Sequence, residues 1–129
     1  MDPTGLMLEP TVVTAFQWID THVDRIVEEA IRICEIPAPT FEEAERAAYV
    51  KRRFAQLGLA DVIIDGAGNV RGRRPGAGGG PGTAVGADLD TVFPKRTGEH
   101  RLDEYVETGR IPTGIKNILL TTVTLAGKA

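Results

Sequence analysis

Cysteine, histidine and aromatic residues are scarce in this sequence. Its 129 residues include one cysteine, two histidines and only 5% aromatic residues. A single cysteine, Cys34, excludes an internal disulfide and fits a reducing compartment. His22 and His100 have no other histidine or cysteine at metal-ligand spacing, so neither indicates a zinc cluster. We interpret both histidines as exposed and Cys34 as a buried small hydrophobic residue.

Long apolar runs and a strong charge imbalance are also lacking. No apolar run approaches the ~18 residues that span a bilayer, and no basic region follows Met1 as in a secretory signal. The chain has 15 Lys and Arg against 18 Asp and Glu, which gives no reason to expect a nucleic-acid partner. We therefore expect a cytoplasmic protein with neither a membrane nor a nucleic-acid partner.

Glycine and proline are present in number, but they do not form a nucleotide-binding loop. Seven of the eight residues of Pro75–Gly82 are Gly or Pro, which indicates a flexible connector. This stretch lacks the lysine of a Walker loop. The glycines at 66, 68 and 72 are not spaced as in a dinucleotide fingerprint, and a strand follows their turn where the fingerprint opens a helix.

Helical periodicity dominates the first half of the chain. We interpret residues 1–13 as a lead-in and predict one helix from Thr14 to about Ile36, followed by prolines that end it. Thr40 to Glu43 reads as a capping box that opens a second helix, with Gly58 as its C-terminal cap. The apolar stripe of the first helix comprises Phe16, Ile19, Val23, Ile26, Val27, Ala30, Ile33 and Cys34.

Strand signals follow the second helix. Residues 62–64 and Val70 to Arg73 flank turn-forming residues and predict a β-hairpin. Thr83 to Ala87 is small and apolar and predicts a buried strand. Residues 95–110 are charged and aperiodic, and Ile111 to Leu125 is compatible with helix or strand. The pattern predicts an α/β fold of two N-terminal helices, a hairpin and a buried strand.

Asp88 and Asp90 are the candidate functional residues. They follow the predicted buried strand at its carboxyl end, where open α/β sheets place their ligands. Residues two apart in a strand share a face, so the two carboxylates would repel unless a cation or hydrogen bonds relieve them. Spacing alone favours the simpler interpretation, in which the two aspartates cap a loop at the end of the strand.

Several motifs occur here in the order found in one enzyme family. They are Ile36-Pro37-Ala38-Pro39, the glutamates Glu42-Glu43, the turn Gly68-Asn69-Val70, and Asp88-Leu89-Asp90-Thr91-Val92-Phe93-Pro94. Residues 16–94 thereby resemble the start of the zinc-dependent metallopeptidases of the aminoacylase, carboxypeptidase and succinyl-diaminopimelate desuccinylase family. The resemblance implies the opening of a three-layer α/β/α catalytic domain at 14–94 and a divergent tail at 95–129.

The resemblance implies a role for each aspartate. Asp90 matches the family's aspartate that orients a zinc-binding histidine, and Asp88 stands where that histidine is expected. A carboxylate can bind zinc, but it is shorter than histidine and is repelled by Asp90. Lys116 and Asn117, after Gly114-Ile115, stand where the family has an aspartate that bridges two zinc ions. A second glutamate pair, which supplies the general base and another metal ligand later in the family's sequences, is not found before Ala129.

The resemblance implies a zinc-dependent hydrolase that cleaves amide bonds in small peptides or N-acyl amino acids. Because most metal ligands and the general base are missing, we expect a truncated or degenerate member that is inactive alone and binds zinc poorly. We also expect self-association through exposed apolar faces. The alternative is a non-catalytic small α/β binding or interaction domain.

Overall fold

The computed structural model describes residues 3–76, 82–90 and 108–126. In these ranges the chain forms a mixed α/β fold with five α-helices and one two-stranded antiparallel sheet. The chain divides into two compact units. Of the described residues, 3–28, 76, 82–85 and 108–126 belong to the first unit, and 29–75 and 86–90 to the second.

The first unit is helical. It contains α1 (Pro3–Met7), α2 (Pro10–Thr21), the start of α3 (Val23–Glu35), a 3₁₀ turn at Thr108–Arg110 and α5 (Ile111–Ala126). Helices α1 and α2 both pack on α5, and a small core forms. The buried residues of this core are Leu6, Val12 and Ile19.

The predicted loose lead-in and single long helix are both wrong. The lead-in forms α1 and the start of α2, which begins at Pro10 because proline is favoured in a first helical turn. The long helix is interrupted at His22. The Thr21 hydroxyl donates to the carbonyls of Gln17 and Trp18, and this side-chain bonding competes with the backbone hydrogen bonds that would continue the helix.

The second unit pairs one helix with the hairpin. Helix α4 (Ala44–Gln56) packs on β1 (Ala60–Ile64) and β2 (Val70–Arg73), so the predicted hairpin is confirmed. Its turn is held by Asp65, whose side chain accepts hydrogen bonds from the backbone N–H groups of Ala67 and Asn69. The strands pair Ile64 with Val70 and Ile63 with Arg71, and the register shifts towards Ala60.

Helix α4 ends as predicted but begins differently. Gly58 has φ +73°, its N–H bonds to the Ala55 carbonyl, and the Leu59 N–H bonds to the Phe54 carbonyl, which is the Schellman pattern. At the other end the N-cap is Glu43, without a side-chain cap. The predicted capping box at Thr40 is therefore wrong, because the Thr40 hydroxyl bonds to Asp90 instead.

Two predictions of burial are also wrong. Residues 83–87 form no strand and are exposed, since among the described residues β1 and β2 pair only with each other. Cys34 is exposed, and no residue of α3 is buried. Ile111–Leu125, compatible with either element, is helical within α5. His100 lies outside the described residues.

Candidate functional site

The candidate aspartates lie in an extended segment of the second unit and have different surroundings. Asp88 is exposed, whereas Asp90 is half-buried. The Thr40 hydroxyl donates to Oδ2 of Asp90 over 2.7 Å. The predicted pair at the end of a buried strand is therefore replaced by one anchored carboxylate and one solvated carboxylate.

Arg46 holds this segment in place. Its side chain is buried, with 4% of the residue exposed, and its Nη1 donates to the Leu89 carbonyl over 2.7 Å. Nε and Nη2 donate to the Ile36 carbonyl, and Nη2 also reaches the Cys34 carbonyl at 3.3 Å. One guanidinium group thus joins the end of α3 and the proline-rich turn to the segment between the two aspartates.

The loop between the proline-rich turn and α4 completes the surroundings of Asp90. Phe41, next to Thr40, has φ +70° and is 95% exposed. Its N–H donates to Oε1 of Glu43 over 2.6 Å, and the Glu42 N–H donates to the Pro39 carbonyl over 2.8 Å. These bonds, with that from Thr40 to Asp90, define the conformation of the loop.

A second polar cluster lies on α3 and α4. Oε1 of Glu29 accepts hydrogen bonds from Arg53 and from the Tyr49 hydroxyl. Burial raises the pKa of Glu29, but the bonds from Arg53 and Tyr49 and the charges of Arg53 and Arg32 outweigh it, so the net pKa is lowered. This cluster joins the two helices, and its one carboxylate is already bonded to Arg53 and Tyr49.

The remaining residues singled out in the sequence lie in the first unit. Lys116, expected near a bridging-ligand position, forms an ion pair with Asp20 at 2.6 Å and lies 5.4 Å from the centre of the Phe16 ring. His22 stacks on Trp18 at 4.2 Å between ring centres, and is half-buried rather than exposed.

A cavity of about 500 Å³ in this unit is lined by Val23, Asp24, Val27, Glu28, Gly109 and Pro112.

The described residues do not complete a zinc site. Catalytic zinc ions take three protein ligands and structural ones take four. Within 3–76, 82–90 and 108–126 no group of three or more His, Cys, Asp or Glu side chains is placed to hold a metal. Asp88 and Asp90 therefore offer too few donors for zinc without ligands from elsewhere.

Sequence reasoning did not single out Arg46 or Phe41 for the site. Arg46 had a weak signal, because it lies four residues before Val50 and therefore on the same side of α4. A charged residue there is buried only if polar groups receive it. Phe41 had no such signal, since its backbone conformation depends on the loop that Thr40 and Glu43 anchor.

No model of a protein family matches this chain, and no curated protein matches it either. In the parts of the chain that the structure describes, no helix has the length and apolar character to cross a membrane. The resemblance to zinc metallopeptidases remains a prediction.

Proposed function

We propose that this chain has the amino-terminal architecture of a zinc-dependent metallopeptidase or amidohydrolase acting on peptides or N-acyl amino acids, and that alone it has no hydrolase activity. The observation that supports this most is the connection made by Arg46 and Thr40. These side chains bond Leu89 and Asp90, and Arg46 also bonds Ile36. The two joined segments, Ile36–Pro39 and Asp88–Asp90, are both segments on which the family resemblance depends.

The proposal gives the two aspartates separate roles. Asp90, held by Thr40, is the positioning carboxylate that would orient a ligand beside it. Asp88, exposed and two residues away, is the ligand position, and its short side chain and negative charge make it a poor replacement for histidine beside Asp90. Bound zinc would supply a polarised water for amide hydrolysis, with further ligands and a general base required.

Calorimetric zinc titration of the full chain tests the proposal. We expect weak binding by the unmodified protein and at least about tenfold tighter binding by Asp88→His, because a neutral imidazole next to Asp90 restores the oriented ligand. Asp88→Asn is the matched control, since it removes the charge without adding an imidazole. No gain with Asp88→His contradicts the proposed ligand position. Hydrolysis of an N-acetyl amino acid by the unmodified chain contradicts the proposed inactivity.

A second candidate is a non-catalytic interaction domain. The second unit exposes several large apolar side chains, and exposed apolar side chains mark a binding surface where they form one contiguous patch. Sedimentation equilibrium distinguishes this function, because an interaction domain that uses these residues associates with rising concentration whether or not zinc is present. The exposed residues are Ile31, Phe41, Leu57, Ile63 and Ile64.

A further inference from the structure

The cavity in the first unit combines apolar side chains with two carboxylates. Val23, Val27 and Pro112 supply the apolar side chains, and Asp24 and Glu28 supply the carboxylates. Its volume of about 500 Å³ lies within the range of ~300–1,000 Å³ that small-molecule sites occupy. An apolar cavity with a few charged groups in its lining is the usual form of such a site.

Helix α3 places the two kinds of side chain in adjacent rows. Val23 and Val27 are four residues apart, and so are Asp24 and Glu28, so the members of each pair lie on the same side of the helix. The two valines are half-buried, whereas the two acidic residues are exposed. The apolar row therefore lies deeper than the acidic row, and the negative charges lie beside water at the mouth of the cavity.

Contacts within the fold do not account for the acidic row. Neither Asp24 nor Glu28 forms a hydrogen bond or ion pair in the part of the chain that the structure describes. Asp24 suits the first turn of α3 because a helix N-terminus favours negative charge, but Glu28 lies one turn further on, and like charges four residues apart repel. Their basic neighbours Arg25 and Arg110 are not among the residues that line the cavity. The cavity thus has uncompensated negative charge next to an apolar wall.

We propose that this cavity binds a small organic cation whose ammonium group lies beside Asp24 and Glu28. The alkyl chain of the cation lies against Val23, Val27 and Pro112. Attraction to the ammonium group offsets the repulsion between the two carboxylates, and the alkyl chain gains free energy by leaving water. The candidate aspartates of the zinc site belong to the other unit, so this binding depends neither on the proposed function nor on zinc.

Titration of the full chain with hexylammonium chloride at low salt, followed by NMR, tests the proposal. We expect saturable shifts of the amide signals of Val23, Val27 and Glu28. Methylammonium, which lacks the alkyl chain, and hexanoate, which carries the opposite charge, are each expected to bind at least about tenfold more weakly. Binding of either probe as tight as that of hexylammonium overturns the proposal, as does the absence of saturable binding by hexylammonium.

Variants of the acidic row test its part in binding. Glu28→Gln is expected to weaken hexylammonium binding about threefold, and the double variant Asp24→Asn/Glu28→Gln about tenfold, because each removes charge with little change of shape. Glu35→Gln is the matched control, since Glu35 is also an exposed acid of α3 but does not line the cavity. Unchanged binding by the double variant, or an equal loss in Glu35→Gln, overturns the proposal.

Discussion

At the scale of single residues, Arg46 is the most consequential side chain. It is 4% exposed, and all the acceptors of its hydrogen bonds are backbone carbonyls, those of Cys34, Ile36 and Leu89. Moving a charge from water into the protein interior costs free energy unless hydrogen bonds satisfy it there. The carbonyls provide this compensation, and their segments are held together because they share one guanidinium group.

We expect Arg46→Met to lower the free energy of unfolding by about 2–4 kcal/mol, because the carbonyls of Cys34, Ile36 and Leu89 lose their shared donor. Arg46→Lys is expected to recover only part of the loss, since an ammonium group lacks the planar fork that reaches separate carbonyls. Urea unfolding at neutral pH measures both. Lys51→Met is the control: Lys51 is exposed on the same helix, and a change above ~0.5 kcal/mol there, or none at Arg46, contradicts this account.

At the scale of elements, Gly72 allows α4 to lie close to the hairpin. A Cβ built on Gly72 would lie 3.0 Å from Cδ1 of Leu59 and 3.0 Å from Cδ2 of Phe54. These distances are shorter than ordinary van der Waals contacts, so a larger residue forces the side chains around the end of α4 to move. At position 72, where β2 packs near α4, only glycine fits without displacing the side chains of Phe54 and Leu59.

Gly72→Ala is therefore expected to destabilise the protein by about 1 kcal/mol through crowding of Phe54 and Leu59. The matched control is Gly66→Ala in the hairpin turn, where a Cβ meets no atom within 4 Å. Thermal unfolding of both variants measures the difference. A melting temperature of Gly72→Ala equal to that of Gly66→Ala would show that β2 and α4 have room for a methyl group.

The predicted elements differ in whether they depend on nearby or on distant residues. The hairpin was predicted because Asp65, Gly68 and Asn69 form its turn through bonds within five residues. The strand predicted at 83–87 does not form, because a strand requires a neighbour that local sequence does not specify. Likewise, the sequence predicts Thr40 as a helix cap, but its hydroxyl donates a hydrogen bond to Asp90, 50 positions away.

At the scale of the whole molecule, acidic residues with lowered pKa make stability depend on pH. Hydrogen bonds from Asn69, first from its backbone and then from its side chain, lower the pKa of Asp65 from its ordinary 3.8. Burial raises the pKa of Glu29, but the hydrogen bonds from Arg53 and Tyr49 outweigh it and lower this pKa from its ordinary 4.5. Because the folded pKa is depressed, each stabilising contribution is complete above the ordinary pKa and is lost as pH falls through the folded value.

We expect Glu29→Gln to lower the free energy of unfolding by about 1 kcal/mol at pH 7, because Arg53 and Tyr49 lose their charged acceptor. The difference between the variant and the unmodified chain should diminish as pH falls below about 4, where Glu29 is protonated in the unfolded chain. Urea unfolding across this range measures it. Glu28→Gln, which changes an exposed neighbour, is the control, and a loss that is independent of pH would exclude the Glu29–Arg53 pair as its source.

Local sequence was sufficient for the hairpin, for the end of α4 at Gly58 and for the helical periodicity of the amino-terminal half, since those features depend on residues close together in the chain. It also singled out Asp88 and Asp90 as candidates. Only the tertiary structure determined that Asp90 is anchored and Asp88 is free in solvent. The reason is physical: Thr40 and Arg46 reach that segment across 50 and 43 residues, and no local pattern encodes which distant carbonyl or carboxylate a side-chain donor will meet.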